Sequence, residues 1–397
     1  MKEYKYIIIG GGMTGSSAAM GIRQRDPAGS IAMFTKEPHG PYNRPPLSKS
    51  LWGKGKLEDI MRPLDPYRVD LYLETKVARV VCEKKQIVVN DGEKYAYTKL
   101  LLATGGAPIQ FPNLPQGVIA YRTRADFEQL KAVAGQGKSI AVVGGGFIGS
   151  EIAAALTRNG CKVTMVFPED GISARIFPAN LSQFINDYYA QKGVTIKAHW
   201  LVNEITKEGN VYNVQIREVN TGEIENLTFD KVVLGIGVKP EVALAEQAGL
   251  EINNGIRVTP TLQTADPDIY AAGDVANFYN PSLQTWTRVE HEDNANAMGM
   301  MAGMNMAGEA QKYEHFPFFY SDLFDLGYEA LGELSSDHNI IEDWIEPFKK
   351  GTIFYLNDPG QIRGIIFWNL WGKIDEGRKL IAEGKTHQPE DLKGLFK

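Results

Sequence analysis

Residues 139–151 read Ser-Ile-Ala-Val-Val-Gly-Gly-Gly-Phe-Ile-Gly-Ser-Glu, and residues 4–17 read Tyr-Lys-Tyr-Ile-Ile-Ile-Gly-Gly-Gly-Met-Thr-Gly-Ser-Ser. Each is an apolar run, a Gly-x-Gly-x-x-Gly turn, and a stretch with helical periodicity. The first glycine makes the tight turn, the second lets a pyrophosphate reach the backbone, and the third lets helix and strand pack closely. The helix N-terminus is left to receive the anion. The pattern predicts strands at residues 4–9 and 139–143 and helices at 16–25 and 148–158. One copy alone is a weak signal. Two copies in the same context predict an α/β chain with two Rossmann-type dinucleotide-binding domains.

The acid expected about 20 residues beyond each turn separates the copies. In the second, strand 162–167 runs into Pro168-Glu169-Asp170, which places Glu169 to hold the adenosine ribose hydroxyls. A carboxylate there favours NAD over NADP, because it repels a 2′-phosphate. Arg175 stands near enough to attract one. In the first copy, strand 30–35 ends in Lys36-Glu37, so a cation adjoins the expected acid and Glu37 takes its place.

A chain of 397 residues with 43% hydrophobic residues can build two or three ordinary cores. A formal net charge of −6 gives no nucleic-acid footprint. The first strand starts too close to Met1 for a signal or transit peptide, and no apolar run approaches a membrane span of ~20 residues. These features lead us to expect a soluble, cytoplasmic protein. Cys82 and Cys161 form no Cys-x-x-Cys pair, which argues against a redox-active dithiol and for buried structural thiols. No metal site is expected.

The organisation is nested. A proline-rich loop (38–46) and a β-rich stretch (77–89) precede strand 99–102, which runs into Thr104-Gly105-Gly106. The second nucleotide unit opens near Phe111 and closes with Val232-Val233-Leu234-Gly235-Ile236-Gly237. Ile269 to Asp274 is another strand ending in glycine and acid, followed by a small-residue helix from about Glu292 to Gly308. From Phe316 to Phe367, aromatics and β-branched residues predict an antiparallel sheet, and Lys373 to Phe396 a helical tail. The expected domains are 1–110 with 239–314, 111–238, and a C-terminal α+β domain at 315–397.

Five segments carry a resemblance to a known family: Tyr42 to Trp52 (YNRPPLSKSLW), Gly144 to Glu151 (GGGFIGSE), Ala271 to Asp274 (AAGD), Arg288-Val289-Glu290-His291, and Ile353 to Leu356 with Trp368-Asn369. The chain resembles the two-dinucleotide flavoproteins that include the ferredoxin reductases and, more closely, apoptosis-inducing factor and its prokaryotic relatives. The resemblance implies a glutathione-reductase-like fold with non-covalent FAD, an inserted NAD domain, and a C-terminal domain that closes over the flavin. Gly10, Gly12, Met13, Thr14 and Gly15 would then bind the FAD pyrophosphate, and Asp274 the ribityl chain. Arg44, Lys49, Val77, Arg122, Lys36, Glu37, Thr104, Gly105, His291, Glu292 and Tyr320 complete the implied FAD set. Gly144, Gly145, Gly146, Phe147, Ile148, Gly149, Glu169, Arg175, Gly237 and Glu290 form the implied NAD set.

The implied catalytic set is Lys49, Glu151, Phe147 and His291. Relatives pair the carboxylate matching Glu151 with the lysine matching Lys49 beside flavin N5, and Phe147 matches the aromatic on the nicotinamide side. The alternative by sequence alone, which we weigh below the functional reading, is Glu151 as a first-turn acid favoured by the helix dipole and Phe147 as a core aromatic. As a histidine, His291 could titrate near neutrality. Tyr320 departs from the tryptophan of many relatives, and Glu292 from the second histidine of the vertebrate protein.

The expected activity is FAD-dependent oxidation of NADH with electrons passed onward. The acceptor stays open among oxygen, quinone, ferredoxin and rubredoxin. A slow redox sensor whose NADH-reduced form changes partners or oligomeric state is the alternative from another class, and a homodimer is allowed.

Overall fold

The computed structural model describes residues 1–396. The chain divides into two compact units: Met1–Arg44, Lys56–Ala107 and Lys239–Phe318 form the first, and Pro45–Gly55, Pro108–Val238 and Phe319–Lys397 the second.

In the first unit, parallel strands Val69–Tyr72, Ile31–Phe34, Lys2–Ile9, Lys94–Leu102 and Ile269–Ala271 lie side by side in that order. Ile7, Ile8, Ala32, Met33, Leu100 and Leu101 are inaccessible to solvent, as expected of a parallel sheet covered on both faces. The long strand Lys94–Leu102 also pairs antiparallel with Gln86–Val89 through its first half, which attaches the β-rich stretch. Helices Met13–Arg25 and Glu292–Met306 pack backbone to backbone. A Cβ on Gly299 would lie 2.4 Å from Thr14 O, and one on Gly303 2.1 Å from Ala18 O. Small residues on this helix therefore permit close approach where a larger apolar stripe would hold the helices apart.

In the second unit, parallel strands Thr195–Ala198, Lys162–Phe167, Ser139–Val143, Lys231–Leu234 and Ile119–Ala120 form the sheet behind the second glycine turn. An antiparallel sheet of Trp200–Glu208, Val211–Glu218 and Ile224–Phe229 buries Val214 and Ile216 with Val232 and Leu234. The C-terminal sheet is antiparallel, in the order Phe318–Leu323, Leu326–Gly332, Ile362–Trp368, Lys350–Leu356 and Asn339–Glu346.

Segment Pro45–Gly55 groups with the second unit. Trp52 meets the edge of Phe127 at 5.6 Å and donates to Leu47 O, while the Tyr121 hydroxyl donates to the same carbonyl. The expected helical tail is two short helices, Ile374–Ala382 and Pro389–Leu392. Gly384 at φ +61° follows the first, and Pro389 opens the second, so the periodicity does not run through. Among the described residues, no helix is long and apolar enough to cross a membrane.

Candidate functional site

The first turn lies wholly in the first unit. Gly10 sits at φ +124°, and a Cβ there would lie 2.0 Å from Ala103 O; one on Gly15 would lie 2.1 Å from Gly10 O. A Cβ on Gly12 would meet nothing within 4 Å. The first and third glycines are thus required by the fold, whereas the second faces open space. Gly12 caps helix Met13–Arg25 with no side-chain acceptor, and the first helical bond is Ser16 N–H to Gly12 O at 3.1 Å. The amides of Met13, Thr14 and Gly15 precede that ladder, where an anion is favoured.

The second turn, in the second unit, has the same construction. A Cβ on Gly144 would lie 2.4 Å from Gly235 O, one on Gly149 2.0 Å from Gly144 O, and one on Gly146 would meet nothing within 4 Å. Gly145 lies against the Phe167 ring, 2.9 Å from a Cβ added there. Ile148 follows Phe147 at the start of helix Phe147–Arg158, and Gly237 O accepts from Ile109 N–H at 2.9 Å.

Around the first turn, Gly273 packs so tightly that its Cβ would lie 2.2 Å from Thr14 Oγ1, which sets Asp274 beside the helix start. Arg288 donates to Asp274 O at 3.0 Å and pairs with Glu290 at 2.5 Å. His291 caps helix Glu292–Met306, which begins at Glu292. Burial pushes His291 down to about 4, against the pull of Asp274 and Asp293. The imidazole is therefore neutral near pH 7, which corrects the expectation of titration there. Thr104 Oγ1 donates to Glu241 O, Gly105 O accepts from Glu241 N–H, and Lys36 lies 3.9 Å from the Glu241 carboxylate. Val77 is buried in strand Val77–Val81.

Glu37 pairs with Arg44 at 2.7 Å and accepts from the Tyr42 hydroxyl at 2.6 Å. Burial opposes ionisation of Glu37, but Arg44 and Tyr42 outweigh it and hold the carboxyl below its usual range. Sequence reasoning missed Tyr42 as an anchor of this acid, and it missed Arg62, which donates to Ser17 at 2.8 Å and Asn43 at 2.9 Å. Nothing in the spacing of Arg62 marks it.

The second unit brings Lys49 and Glu151 together as an ion pair. Their side chains are 13% and 5% exposed, so solvent screens the pair little. Ser48 donates to Glu151 Oε2 and Ser321 to Oε1, each at 2.6 Å. Asp322 lies 3.9 Å from Lys49, and the lysine ammonium stands 5.2 Å over the Tyr320 ring. Glu151 begins the second turn of its helix, so the first-turn dipole role is not its place. Ser48 lies in the quoted segment Tyr42 to Trp52, but nothing in the sequence marked its common target with Ser321.

Phe147 meets Phe319 edge to face at 5.1 Å. Glu169 is held by Arg175 at 2.5 Å, and the Arg175 side chain is 80% exposed. The cation expected to attract a phosphate is thus partnered by the carboxylate expected to repel it. Arg122 precedes the capped helix Arg124–Val133, its amide donating to Asp126. Of the FAD set, Lys49, Arg122 and Tyr320 belong to the second unit and the rest to the first.

Cys161 is buried, but Cys82 is only half-buried, because it lies in a short turn after its strand. Burial raises both thiols, which disfavours the reactive thiolate.

Two strand–turn–helix units, each with an open second glycine and an uncapped helix start, define the class of dinucleotide-dependent oxidoreductases. The sequence profile described as "Pyridine nucleotide-disulphide oxidoreductase" matches residues 4–299, and the chain belongs to that family. It is 34% identical to "Apoptosis-inducing factor 1, mitochondrial" of Dictyostelium discoideum, over 100% of this chain and 81% of that protein. It is 33% identical to the "Anthranilate 1,2-dioxygenase system ferredoxin--NAD(+) reductase component" of Burkholderia cepacia, over 99% and 97%. The fold matches the crystal structure of the covalent putidaredoxin reductase–putidaredoxin complex with a TM-score of 0.89 and 26% identity, over 100% of this chain and 97% of that one. The protein is an FAD-dependent pyridine-nucleotide oxidoreductase. The open space at Gly12 and Gly146 is the cradle that a pyrophosphate requires, so the residues present fit both nucleotides.

Proposed function

We propose that the chain oxidises NADH in preference to NADPH and passes the electrons to a ferredoxin-type carrier. The observation that carries the oxidoreductase part is the paired cradle: both second glycines open to space while the first and third glycines of each turn are closed by backbone. Residues 1–110 with 239–314 would hold FAD, residues 111–238 NADH, and 315–397 would form the C-terminal domain. FAD, when bound, supplies the hydride-accepting chemistry.

The protein's own task is positional. Gly10 to Gly15 would seat the FAD pyrophosphate on the helix start, with Arg44 and Glu37 as a fixed pair nearby. Gly144 to Gly149 would seat the NADH pyrophosphate, and Glu169 would hold the ribose diol after exchanging Arg175 for it. Lys49 supplies a cation that cannot wander, because Glu151 is itself held by Ser48 and Ser321. Neutral His291 would be a polar wall rather than a proton donor.

Support for the carrier comes from the relatives named as ferredoxin–NAD(+) reductase components and from the putidaredoxin complex. A slow NADH sensor is the second reading, favoured by the likeness to apoptosis-inducing factor. Stopped-flow reduction by NADH, followed by reoxidation with ferredoxin, rubredoxin, quinone and oxygen in turn, tests both. Fast reoxidation by an iron–sulfur carrier supports the first. A long-lived reduced protein with altered hydrodynamic size, reoxidised slowly by all four, would replace it with the second.

A further inference from the structure

Arg175, which holds Glu169, rides on a loop whose two halves have different anchors. The first half is fixed close to the second glycine turn. Asn186 donates to Asp170 O and accepts from Ile172 N–H, both at 3.0 Å, and Ser182 donates to Ile172 O at 2.7 Å. Ser173 N–H donates to Gly145 O, within the turn itself, at 2.8 Å. Ile176 and Phe177 N–H then close a single turn onto Ser173 O at 2.9 and 2.8 Å. Pro178 follows with no N–H, which stops the turn and leaves its last carbonyls to find other donors.

Those donors come from the C-terminal sheet and its connections. Ser336 N–H, beyond strand Leu326–Gly332, donates to Arg175 O at 2.9 Å, and the Tyr355 hydroxyl, from strand Lys350–Leu356, donates to Ile176 O at 2.5 Å. Phe177 is inaccessible to solvent and meets both Tyr328 and Trp368 edge to face at 5.5 Å. Burial pushes the Tyr355 phenol far above its usual range, so the hydroxyl stays a donor at any working pH. At the other end of the side chain, Glu169 Oε1 accepts from Arg175 Nε at 2.8 Å and Nη2 at 2.5 Å. The guanidinium is largely exposed and has many rotamers to choose from. A backbone fixed on both sides of Arg175 Cα narrows that choice and keeps the cation within reach of the acid.

We infer that Tyr355 is a positioning residue for coenzyme choice: by holding Ile176 O it keeps Arg175 on Glu169, and so tunes discrimination between NADH and NADPH by a carboxylate it does not touch. The inference rests on the proposed role of Glu169 at the ribose. A carboxylate engaged by Arg175 has less hold on a ribose diol and less repulsion for a 2′-phosphate. Loosening the backbone beside Arg175 frees Glu169 and widens the preference for NADH. Removal of Arg175 has the same direction, which makes the two changes expressions of one contact.

The test uses FAD-loaded protein and Tyr355→Phe, which keeps the ring and loses only the donor. Reduction is measured with NADH and with NADPH, and equilibrium binding of NAD+ and NADP+ by fluorescence. The kcat/KM ratio of NADH to NADPH should rise about two- to fivefold, the range open to an exposed ion pair. KM should carry the change, with kcat at saturation unaltered, and the binding ratio of the oxidised coenzymes should follow. In an Arg175→Ala background, Tyr355→Phe should leave the ratio unmoved, because the hydroxyl acts through Arg175. A merely structural loss would instead lower rates with both coenzymes in both backgrounds. Ser336→Pro removes the neighbouring N–H donor and carries the same test if Tyr355→Phe does not fold. An unchanged ratio in folded, FAD-retaining variant, or the same shift without Arg175, overturns the inference. Glu169→Gln separates the failures: an unmoved ratio there removes the ribose role of Glu169 and this inference with it. A ratio that moves there but not in Tyr355→Phe removes the inference alone.

Discussion

Two glycines of one motif should separate folding from cofactor binding. In Gly12→Ala the new methyl group meets no protein atom within 4 Å, and the backbone at φ −95° is open to any L-residue. Alanine is a poorer N-cap than glycine by roughly 1 kcal/mol, and the stiffer unfolded chain returns about 0.4–1 kcal/mol. The FAD-free protein should therefore keep its stability within about 1 kcal/mol. The methyl group would occupy the space where the pyrophosphate approaches the helix start. Loss of two charge-assisted hydrogen bonds at about 1.5–2 kcal/mol each weakens FAD by roughly 100- to 1,000-fold. In Gly10→Ala, by contrast, the methyl lies 2.0 Å from Ala103 O at φ +124°. Backbone strain of about 1–3 kcal/mol adds to that overlap, and little folded protein should form. The assays are urea unfolding of FAD-free protein and FAD titration followed by flavin fluorescence. If Gly12→Ala binds FAD normally, or loses stability as Gly10→Ala does, the cradle assignment is wrong.

Lys49→Met and Glu151→Leu should each slow reduction by NADH by at least about tenfold, roughly 1.4 kcal/mol. The double variant should cost less than the sum, by about 0.5–3 kcal/mol, because the two groups touch; strictly additive effects in FAD-retaining variants would remove the pair from the reaction. Glu169→Gln should narrow a preference for NADH over NADPH that we expect to be about tenfold or more, while Arg175→Ala should widen it by freeing the carboxylate to repel a 2′-phosphate. Competition between the two coenzymes in stopped-flow reduction reads both, and an NADPH preference in the unmodified protein would invert the argument. His291 is held at about 4 in the fold against about 6.5 unfolded, so the unfolded chain binds the extra proton first. Its contribution is complete above about pH 6.5 and is lost as pH falls toward about 4, by about 2–3 kcal/mol. In His291→Asn the stability-against-pH curve should flatten in that window; an unchanged slope would show that the imidazole is solvated.

The two nucleotide units were legible because period and punctuation agree locally: apolar strand, fixed glycines, helix. Pairings across distant sequence were harder to read. Arg62 meets Ser17 and Asn43 only because the turn after Pro45–Gly55 returns it to the first unit, and no spacing rule encodes that return. Arg175 was recognised as a cation near Glu169, but not as its partner, since a loop of six residues fixes distance and leaves direction open. His291 was read by its ordinary titration range. Burial, which three-dimensional packing alone supplies, moved it. The tail from Lys373 misled because helical residues surround Gly384 without continuing through it.

The setting of Glu151 fixes where the Lys49 ammonium stands. One carboxylate oxygen takes a serine hydroxyl and the lysine, and the other takes a second serine hydroxyl. Three donors therefore hold this buried carboxylate in one orientation. The same contacts explain why the lysine is reliable. It faces a carboxylate fixed from the loop at Ser48 and from strand Phe318–Leu323 at Ser321, so it cannot move to the exposed Asp322, 3.9 Å away, without leaving a buried charge behind. The arrangement fixes a cation and leaves it in place, as electrostatic preorganisation requires. Replacing either serine by alanine should therefore loosen the position of Lys49 and slow reduction while sparing the binding of both nucleotides, which depends on glycine turns that neither serine touches.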